Sequence, residues 1–342
     1  MRYLRKFLLF LGIAIILQLS VLFYIDRFYL VEKKDQSDTA GKQLNKKEKL
    51  GKVQIPTGAD NIQASWDGKY VSYYENAELK VVDTETLEIN KMKFEDNTKV
   101  SIYKWVQDKN RIIIGGKKED KFKNVVSFAY LDLKEKDNYK AIGAITMPDK
   151  KSEIGEIECS NSEDEIYVKL NNVGNRNSIY KLKSKGGTEK LQLKSFSISN
   201  IEVLKQRNQM LYEDGTARKI YIFGAAKPID VKSIGEARLL SVDKEENIYV
   251  AQMENSKVKS IYWGKQIDSV EKWNSKQLER EIEIKDLILA QDGKVYVNDN
   301  LKGSVVEVSS GKAIFYKGKF LQLYADGVAS IWGECLVKTK FQ

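Results

Sequence analysis

The chain contains no histidine among its 342 residues. Imidazole is required for Ser-His-Asp and Cys-His catalysis, for H-E-x-x-H zinc sites and for haem ligation by histidine, so these chemistries are excluded. The pattern G-x-S-x-G, the C-x-x-C pair, the P-loop and the glycine pattern of dinucleotide-binding folds are missing too. The sequence therefore predicts no catalytic, cofactor-binding or metal-binding residues, and it favours a protein that is not an enzyme.

Proline and cysteine are scarce. The three prolines, Pro56, Pro148 and Pro228, lie between predicted strands or at a strand end, where a missing amide hydrogen costs no ladder hydrogen bond. The two cysteines, Cys159 and Cys335, lie in the third and the last of seven repeats, and a disulfide needs Cα atoms within about 7 Å. Because those repeats are not neighbours in a ring of seven, we expect both cysteines to be buried free thiols.

Acidic residues are few near the N-terminus, so the basic surplus that gives the net charge of +9 is densest there. Residues 1–50 hold ten Lys or Arg against five Asp or Glu, whereas the remaining residues hold 47 against 43. A nucleic-acid-binding domain is expected to carry a basic stripe on its folded surface. The sequence therefore predicts no nucleic-acid partner, and it places the basic character close to a membrane segment.

One long apolar run is present, from Phe7 to Ile25, and its nineteen residues carry no charge. At about 1.5 Å per residue it spans about 28 Å, enough to cross a bilayer. Arg2, Arg5 and Lys6 precede it, so the positive-inside rule predicts a cytoplasmic N-terminus and an extracytoplasmic remainder. A cleavable signal peptide is the alternative, but its apolar region is shorter and ends in small residues.

These observations divide the chain into four parts. Residues 26–50 are polar and lack periodicity, which is typical of a flexible linker. The predicted parts are a cytoplasmic tail at 1–6, a transmembrane helix at 7–25, a linker at 26–50 and an extracytoplasmic domain at 51–342. The predicted localisation is the cell membrane, with a single pass.

Within the last part, an apolar stretch runs seven times into a short polar turn, usually with Asp, and continues as an aromatic or β-branched strand. The starts lie roughly 35 to 55 residues apart, the period of a four-stranded propeller blade. The seven segments are Ser65–Tyr74, Val106–Gly115, Ser160–Leu170, Leu204–Glu213, Ser241–Ala251, Ala290–Asp299 and Tyr324–Gly333. The predicted fold is therefore an all-β, seven-bladed β-propeller, with six or eight blades as alternatives.

The last repeat contains only three predicted strands before the chain stops. The segment KVQIP, Lys52–Pro56, precedes the first full blade and can supply the fourth. Such sharing pairs the first strand with the last blade and removes two exposed sheet edges. We expect the ring to be closed in this way.

The segment SWDGKYVSYYENAELKVVDTETLE, Ser65–Glu88, resembles the repeat of TolB-type and WD40-like propellers and that of prolyl oligopeptidase and dipeptidyl peptidase relatives. Ser65, Asp67 and Gly68 match the S-P-D-G-K pattern, with Trp66 in place of proline, and AQDGKVYV (Ala290–Val297) matches in part. The resemblance implies a scaffold whose Asp and Gly shape the turn. The peptidase relatives add an α/β-hydrolase domain, for which this chain has no room.

Carboxylates at the starts of blades are candidates for a histidine-free glycosidase site, because glycoside hydrolases work with two such groups. The candidates that could converge on the central channel are Glu156, Glu158, Glu202, Glu236, Asp286 and Asp326. The acidic turn Ser160–Glu165 is a candidate calcium site, although it lacks alternating ligands and glycine. For both sets, solvated surface residues are the favoured interpretation.

Tryptophan offers a candidate partner-binding residue. Aromatic residues that alternate with other residues along a strand pack between blades, and we expect Trp66, Trp105 and Trp332 in the core for this reason. Trp273 lies in the polar stretch DSVEKWNSKQ and is the candidate for an exposed partner-binding anchor, although packing of this loop onto its own blade is the favoured interpretation.

The predicted function is a membrane-anchored scaffold that binds an envelope protein or a cell-wall polymer. A histidine-free carbohydrate-active enzyme and a regulatory or sensor subunit of an envelope complex are the alternatives. The sequence names neither the partner nor the propeller face that binds it.

Overall fold

A computed structural model describes residues 52–341, except 77, 93–97, 108, 120–123, 135–138 and 161, together with Lys6 and Gln18. Contacts between Cα atoms place Lys52–Gln342 in one compact unit. Among the described residues, no helix is both long and apolar enough to span a bilayer. The predicted transmembrane helix at 7–25 lies outside the described residues apart from Gln18, and the predicted linker at 26–50 lies wholly outside them.

The described strands form seven antiparallel sheets, which are the seven blades of a β-propeller in chain order. Blade 1 contains β1 (Asp60–Ala64), β2 (Tyr70–Glu75), β3 (Glu78–Asp83) and β4 (Ile89–Met92). Blade 2 contains β5 (Lys99–Trp105), β6 (Arg111–Glu119), β7 (Asn124–Asp132) and β8 (Tyr139–Thr146). Blade 3 contains β9 (Glu153–Cys159), β10 (Glu165–Asn172), β11 (Arg176–Lys183) and β12 (Thr188–Lys190).

The remaining blades are also antiparallel meanders, with three described strands in blades 4 and 7 and four in blades 5 and 6. Blade 4 contains β13 (Ile198–Leu204), β14 (Gln209–Asp214) and β15 (Ile220–Ile222), and blade 5 contains β16 (Ala237–Val242), β17 (Ile248–Glu254), β18 (Lys257–Gly264) and β19 (Asn274–Ile282). Blade 6 contains β20 (Leu287–Leu289), β21 (Val295–Asp299), β22 (Ser304–Glu307) and β23 (Ala313–Phe315), and blade 7 contains β24 (Lys319–Tyr324), β25 (Gly327–Trp332) and β26 (Cys335–Lys340). Short 3₁₀ helices occupy Lys232–Ile234, Val270–Lys272 and Ile284–Asp286.

The hydrophobic core is divided among the gaps between neighbouring blades. Blades 1 and 2, for example, bury Leu79 and Val81 against Tyr103 and Ile112. Comparable clusters fill the gaps from blade 2 onward around to blade 7 and back to blade 1. Each sheet is therefore apolar on both faces, which explains the nearly continuous apolar character of its middle strands, and the seven-bladed prediction is confirmed.

The ring is closed by the segment before β1, as the sequence predicts. Gln54 forms an antiparallel bridge with Cys335, the amide of Ile55 donates to the carbonyl of Glu334 at 2.7 Å, and the amide of Leu336 donates to the carbonyl of Val53 at 2.9 Å. Val53 and Ile55 are buried in the cluster between blades 7 and 1. The fourth strand of blade 7 thus comes from the other end of the domain.

All seven repeat segments lie at the turn between the first two strands of a blade, here called the A–B turn. In blade 1 the Asp67 carboxylate accepts hydrogen bonds from the Ser65 hydroxyl (2.7 Å), the Lys69 amide (2.9 Å) and the Asn110 side chain of blade 2 (3.0 Å). Burial raises the pKa of Asp67, but these hydrogen bonds outweigh burial and lower it below its ordinary value. In blade 1 the aspartate of the A–B turn therefore fastens this turn to the next blade.

Candidate functional site

Three of the predicted carboxylates lie on adjacent inner strands beside the central channel. β9 supplies Glu156 and Glu158, two positions apart and hence on one side of the strand, and β13 supplies Glu202. Glu158 and Glu202 are buried, and Glu156 is half-buried. Three of the six candidates thus converge, and the interpretation favoured from the sequence, that they are solvated surface residues, is wrong for Glu158 and Glu202.

Lysines accompany two of these carboxylates. Lys104 of blade 2 makes a hydrogen-bonded ion pair with Glu158, and the Lys205 ammonium of blade 4 lies 3.9 Å from the same carboxylate. Lys169 lies 2.7 Å from Glu156. Burial alone would lower the pKa of Lys104, but Glu158 raises it above its ordinary value. The two glutamates of β9 are therefore neutralised by ammonium groups from three blades.

Glu202 differs because no described residue gives it a hydrogen bond or an ion pair. Burial and the negative charge of Glu158 raise its pKa to about 8, against the opposing influence of Lys205 and Lys104. A carboxyl with this pKa is mostly protonated at neutral pH. The cluster thus contains one neutral acid beside two paired carboxylates.

The space beside this cluster is small. A cavity of about 10 Å³ is lined by Lys104, Glu158, Cys159 and Lys205 among others. That volume accommodates about one water molecule, and no sugar ring fits. Burial also raises the pKa of the Cys159 thiol to about 11, so the thiol remains protonated and unreactive.

The other predicted acidic candidates lie elsewhere. Glu236 is exposed before β16, Asp286 lies in a 3₁₀ helix before β20, and Asp326 is exposed in the A–B turn of blade 7. In the candidate calcium turn, the buried Glu163 carboxylate points back to blade 2, where Arg111 donates to it at 2.8 Å. Across the described ranges, no group of three or more acidic or cysteine side chains is placed to hold a metal ion.

A larger cavity of about 500 Å³ opens at the A–B end of the channel. Blades 1, 2, 5, 6 and 7 contribute to its wall, which is rich in aromatic residues. The aromatic residues are Trp66, Trp105, Tyr296, Tyr324 and Phe341. Tyr296 and Phe341 stack on each other with ring centroids 5.7 Å apart.

Some polar groups of this wall are already bonded within the protein. The Trp105 indole donates to the Ser72 hydroxyl at 2.8 Å, and the Gln322 amide exchanges two hydrogen bonds with the backbone of Ala64, at 2.9 and 3.1 Å. These bonds hold the wall in place.

Other polar groups of the same wall have no partner in the described part of the chain. The buried indole N–H of Trp66 makes no hydrogen bond. The half-buried side-chain amides of Gln107 and Gln291 have none either, although both residues line the cavity. The wall therefore combines aromatic faces with two solvent-accessible side-chain amides that are not used by the described part of the protein.

Trp273, the candidate exposed residue, is buried, and Trp332, an expected core residue, is exposed. Trp273 is 7 % exposed, packs against Gly264 of its own blade and donates its indole hydrogen to the Lys265 carbonyl at 3.2 Å. The candidate exposed anchor is therefore wrong, and the loop packs onto its own blade, as the favoured interpretation has it. Trp332, predicted in the core, is 61 % exposed. Among the other expected core tryptophans, Trp105 is buried as predicted and Trp66 is only half-buried.

Trp332 belongs to a group of exposed apolar side chains that the sequence analysis missed. Leu301, in the turn between β21 and β22, is 100 % exposed, and Phe315 at the end of β23 is 68 % exposed. Phe315 pairs with Ser304 directly after that turn, and the loop after β23 approaches the backbone of Trp332 at Gly318. We call Leu301, Phe315 and Trp332 the blade 6–7 rim.

The face on which this rim lies follows from the strand order. In an antiparallel meander the A–B turns lie at one end of the strands and the turns between the second and third strands at the other. The blade 6–7 rim lies at the second end, opposite the aromatic cavity. The only hint in the sequence is that Leu301 and Trp332 flank turns, where no neighbouring strand covers a side chain.

No protein-family model matches the chain, and no curated protein matches it either. Among solved structures, a prolyl endopeptidase is similar, with a TM-score of 0.53 and 16 % identity over 77 % of this chain and 42 % of that chain. Hsv2 from Kluyveromyces lactis gives a TM-score of 0.48 with 11 % identity over 81 % of this chain and 90 % of that chain. A luciferin-regenerating enzyme gives 0.40 with 11 % identity over 72 % and 84 %.

The chain spans 42 % of the length of the prolyl endopeptidase chain that it matches. At this identity the similarity shows a shared propeller fold and nothing about activity. The shared fold agrees with the resemblance of Ser65–Glu88 to the propeller repeat of prolyl oligopeptidase relatives.

Proposed function

We propose that the protein is a non-enzymatic scaffold of the cell membrane, anchored by Phe7–Ile25, whose extracytoplasmic propeller binds another envelope protein through the blade 6–7 rim. The observation that carries this proposal is the exposure of three large apolar side chains at one end of two adjacent blades. Isolated exposed apolar residues are ordinary, but a group of them supports an interaction surface. Trp is also one of the residue types that are enriched at binding hot spots.

The charges around the rim favour one kind of partner. Lys302, Lys317 and Lys319 are exposed beside it, with Glu334 as a nearby acid. A complementary surface would present an apolar centre bordered by Asp or Glu, since paired potentials steer association and exclude wrong partners. We therefore propose a protein partner with an acid-bordered apolar patch.

The carbohydrate-active alternative is less well supported by the channel. Of its three converging carboxylates, two are buried and one is half-buried, two are paired with lysines, and the adjacent space fits about one water. A glycosidase needs two carboxyl groups that flank a bound sugar. Incubation of the purified protein with wall polymer, followed by analysis for released reducing ends, would revive this alternative if products form and disappear in Glu202→Gln.

The experiment for the scaffold uses the full-length chain with a photo-crosslinking residue at position 301, expressed in native membranes. We expect one protein to be crosslinked, and Trp332→Ser to reduce its yield at least about tenfold, as the loss of a hot-spot residue does. The matched control is Ile267→Ser, because Ile267 is 87 % exposed on another blade. Equal yields from both variants would contradict the proposal.

The regulatory or sensor alternative gives a different result in the same experiment. Its partner would be held by the spanning helix, so a replacement of residues 7–25 by an unrelated apolar helix would lose the partner while Trp332→Ser keeps it. The proposed topology is tested separately, by a C-terminal reporter enzyme that is active only outside the cytoplasmic membrane.

A further inference from the structure

We propose that the aromatic cavity at the A–B end of the channel is a binding site for an uncharged saccharide. This site lies on the face opposite the blade 6–7 rim, so the inference stands apart from the proposed protein partner. The cavity volume of about 500 Å³ falls in the range of about 300 to 1,000 Å³ that is typical of small-molecule sites.

The aromatic part of the wall accounts for one side of the recognition. Trp66 and Trp105 approach from blades 1 and 2, Tyr296 from blade 6, and Tyr324 and Phe341 from blade 7. Large flat rings supply contact area at little cost in conformational entropy. The C–H faces of a sugar ring are flat and weakly polar, so they fit against such rings.

The side-chain amides of Gln107 and Gln291 account for the other side. Both are half-buried in the cavity wall, and an apolar ligand that covered them would leave them without hydrogen-bond partners. A side-chain amide can both donate and accept, as a sugar hydroxyl can. A polyhydroxylated ligand therefore satisfies both parts of the wall.

The charges of the cavity favour an uncharged saccharide. Lys104 lines the wall but is paired with Glu158, and Asp292 lies 3.4 Å from Lys294. Lys244 is exposed at the edge of the cavity, where solvent screens its charge. No unpaired charge of the described wall is buried, and so the site makes no strong demand for an ionic ligand.

A second cavity of about 450 Å³, between blades 4, 5 and 6, shows the contrast. Its Asn200 side chain donates to the Leu239 carbonyl at 3.1 Å, and its Arg238 guanidinium donates to Glu213 at 2.5 Å. The amide and guanidinium groups of this second cavity are thus already bonded within the protein. The A–B cavity differs because the amides of Gln107 and Gln291 in its wall have no partner among the described residues.

The test measures calorimetric binding to the full-length protein in detergent, with cellotriose, maltotriose and the trisaccharide of N-acetylglucosamine as probes. We expect saturable binding of at least one probe at about 10 mM or below, in the range of weak specific binding. Trp66→Ala should weaken it at least about tenfold, because a stacking ring is lost. Trp66→Phe, which keeps a ring and loses the N–H, should weaken it less.

Two controls separate binding from folding and from the rim. Gln107→Ala removes a side chain that makes no bond with any described residue, so it should weaken binding without changing the unfolding temperature. Trp332→Ser should bind as the wild type does. If no probe binds, if Trp66→Ala and Gln107→Ala both bind normally, or if oligogalacturonate binds more tightly and loses that advantage in Lys244→Ala, the inference is overturned.

Discussion

The carboxyl of Glu202 makes the stability of the propeller depend on pH in a defined direction. Its pKa is about 8 in the folded protein, against an ordinary value of 4.5. Between these values the folded protein holds a proton on Glu202 that the unfolded chain has released. Stability therefore falls as pH rises through this window. The substitution Glu202→Gln removes the titrating group and keeps the shape of the side chain.

The size of the effect follows from the shift. Each pKa unit corresponds to about 1.4 kcal/mol, so the full shift sets an upper bound of about 5 kcal/mol on the gain from Glu202→Gln above pH 8. Near pH 4.5 both side chains are neutral and the gain should be close to zero. Loss of the Glu202 charge also relieves Glu156 and Glu158, which are the negative groups nearest to it in the cluster.

The assay is urea unfolding of the full-length protein in detergent, followed by circular dichroism at pH values from about 5 to 8.5. The unfolding midpoint of Glu202→Gln should exceed that of the wild type by an amount that grows with pH. The matched control is Glu236→Gln, which alters an exposed glutamate outside the cluster and should give a small difference at all pH values. A Glu202→Gln difference that stays constant or shrinks with rising pH would refute the reasoning.

Three further outcomes are expected from the geometry, each measured by urea or thermal unfolding. Ile55→Ala should lower the free energy of unfolding by about 2 to 5 kcal/mol, because it opens a cavity in the core beside the closing strand. A decrease below about 1 kcal/mol would mean that this strand does not hold the ring together. Gly318→Ala should destabilise much more than Gly224→Ala: both have φ +86°, but a Cβ at 318 would lie 2.0 Å from a carbonyl oxygen of β25, whereas nothing lies within 4 Å at 224. Equal costs would contradict the close packing at 318. Trp273→Ala should cost about 3 to 5 kcal/mol and Trp332→Ser less than about 0.5 kcal/mol, and the reverse order would contradict their burial.

Much of the architecture was available in the sequence because a blade is a local structure. The turn residues and the strands after them are adjacent in the chain, so ELKVVDTETLEI predicts β3, a turn and β4, and the structure has them at Glu78–Asp83 and Ile89–Met92. The same holds for all seven A–B turns. The closing strand could be predicted by counting strands, because the last repeat has one strand fewer than a complete blade.

The charged cluster beside the channel could be predicted from the sequence only in part. Glu156, Glu158 and Glu202 could be named as inner-strand acids from their place in the repeat. Their pairing with lysines of neighbouring blades could not be, because Lys104 and Lys205 lie about fifty residues from Glu158 in the chain. Local periodicity carries no information about which side chain of the next blade is opposite.

The tryptophans show the same limit most clearly. The polar surroundings of Trp273 in the sequence suggested exposure, yet Gly264 leaves the space that its ring fills. Trp332 continues the alternation of a buried strand, yet it stands beyond the last covered position of that strand.

By itself, the amino-acid sequence determined the repeated A–B turns, the source of the closing strand and the absence of histidine chemistry, and it favoured seven blades over six or eight, because these depend on residue type and short spacing. Only the tertiary structure decided which aromatic side chains are exposed, which carboxyl remains unpaired and which polar groups are left unsatisfied around a cavity. Those properties depend on residues of several blades at once, and their spacing along the chain does not encode the distances between blades.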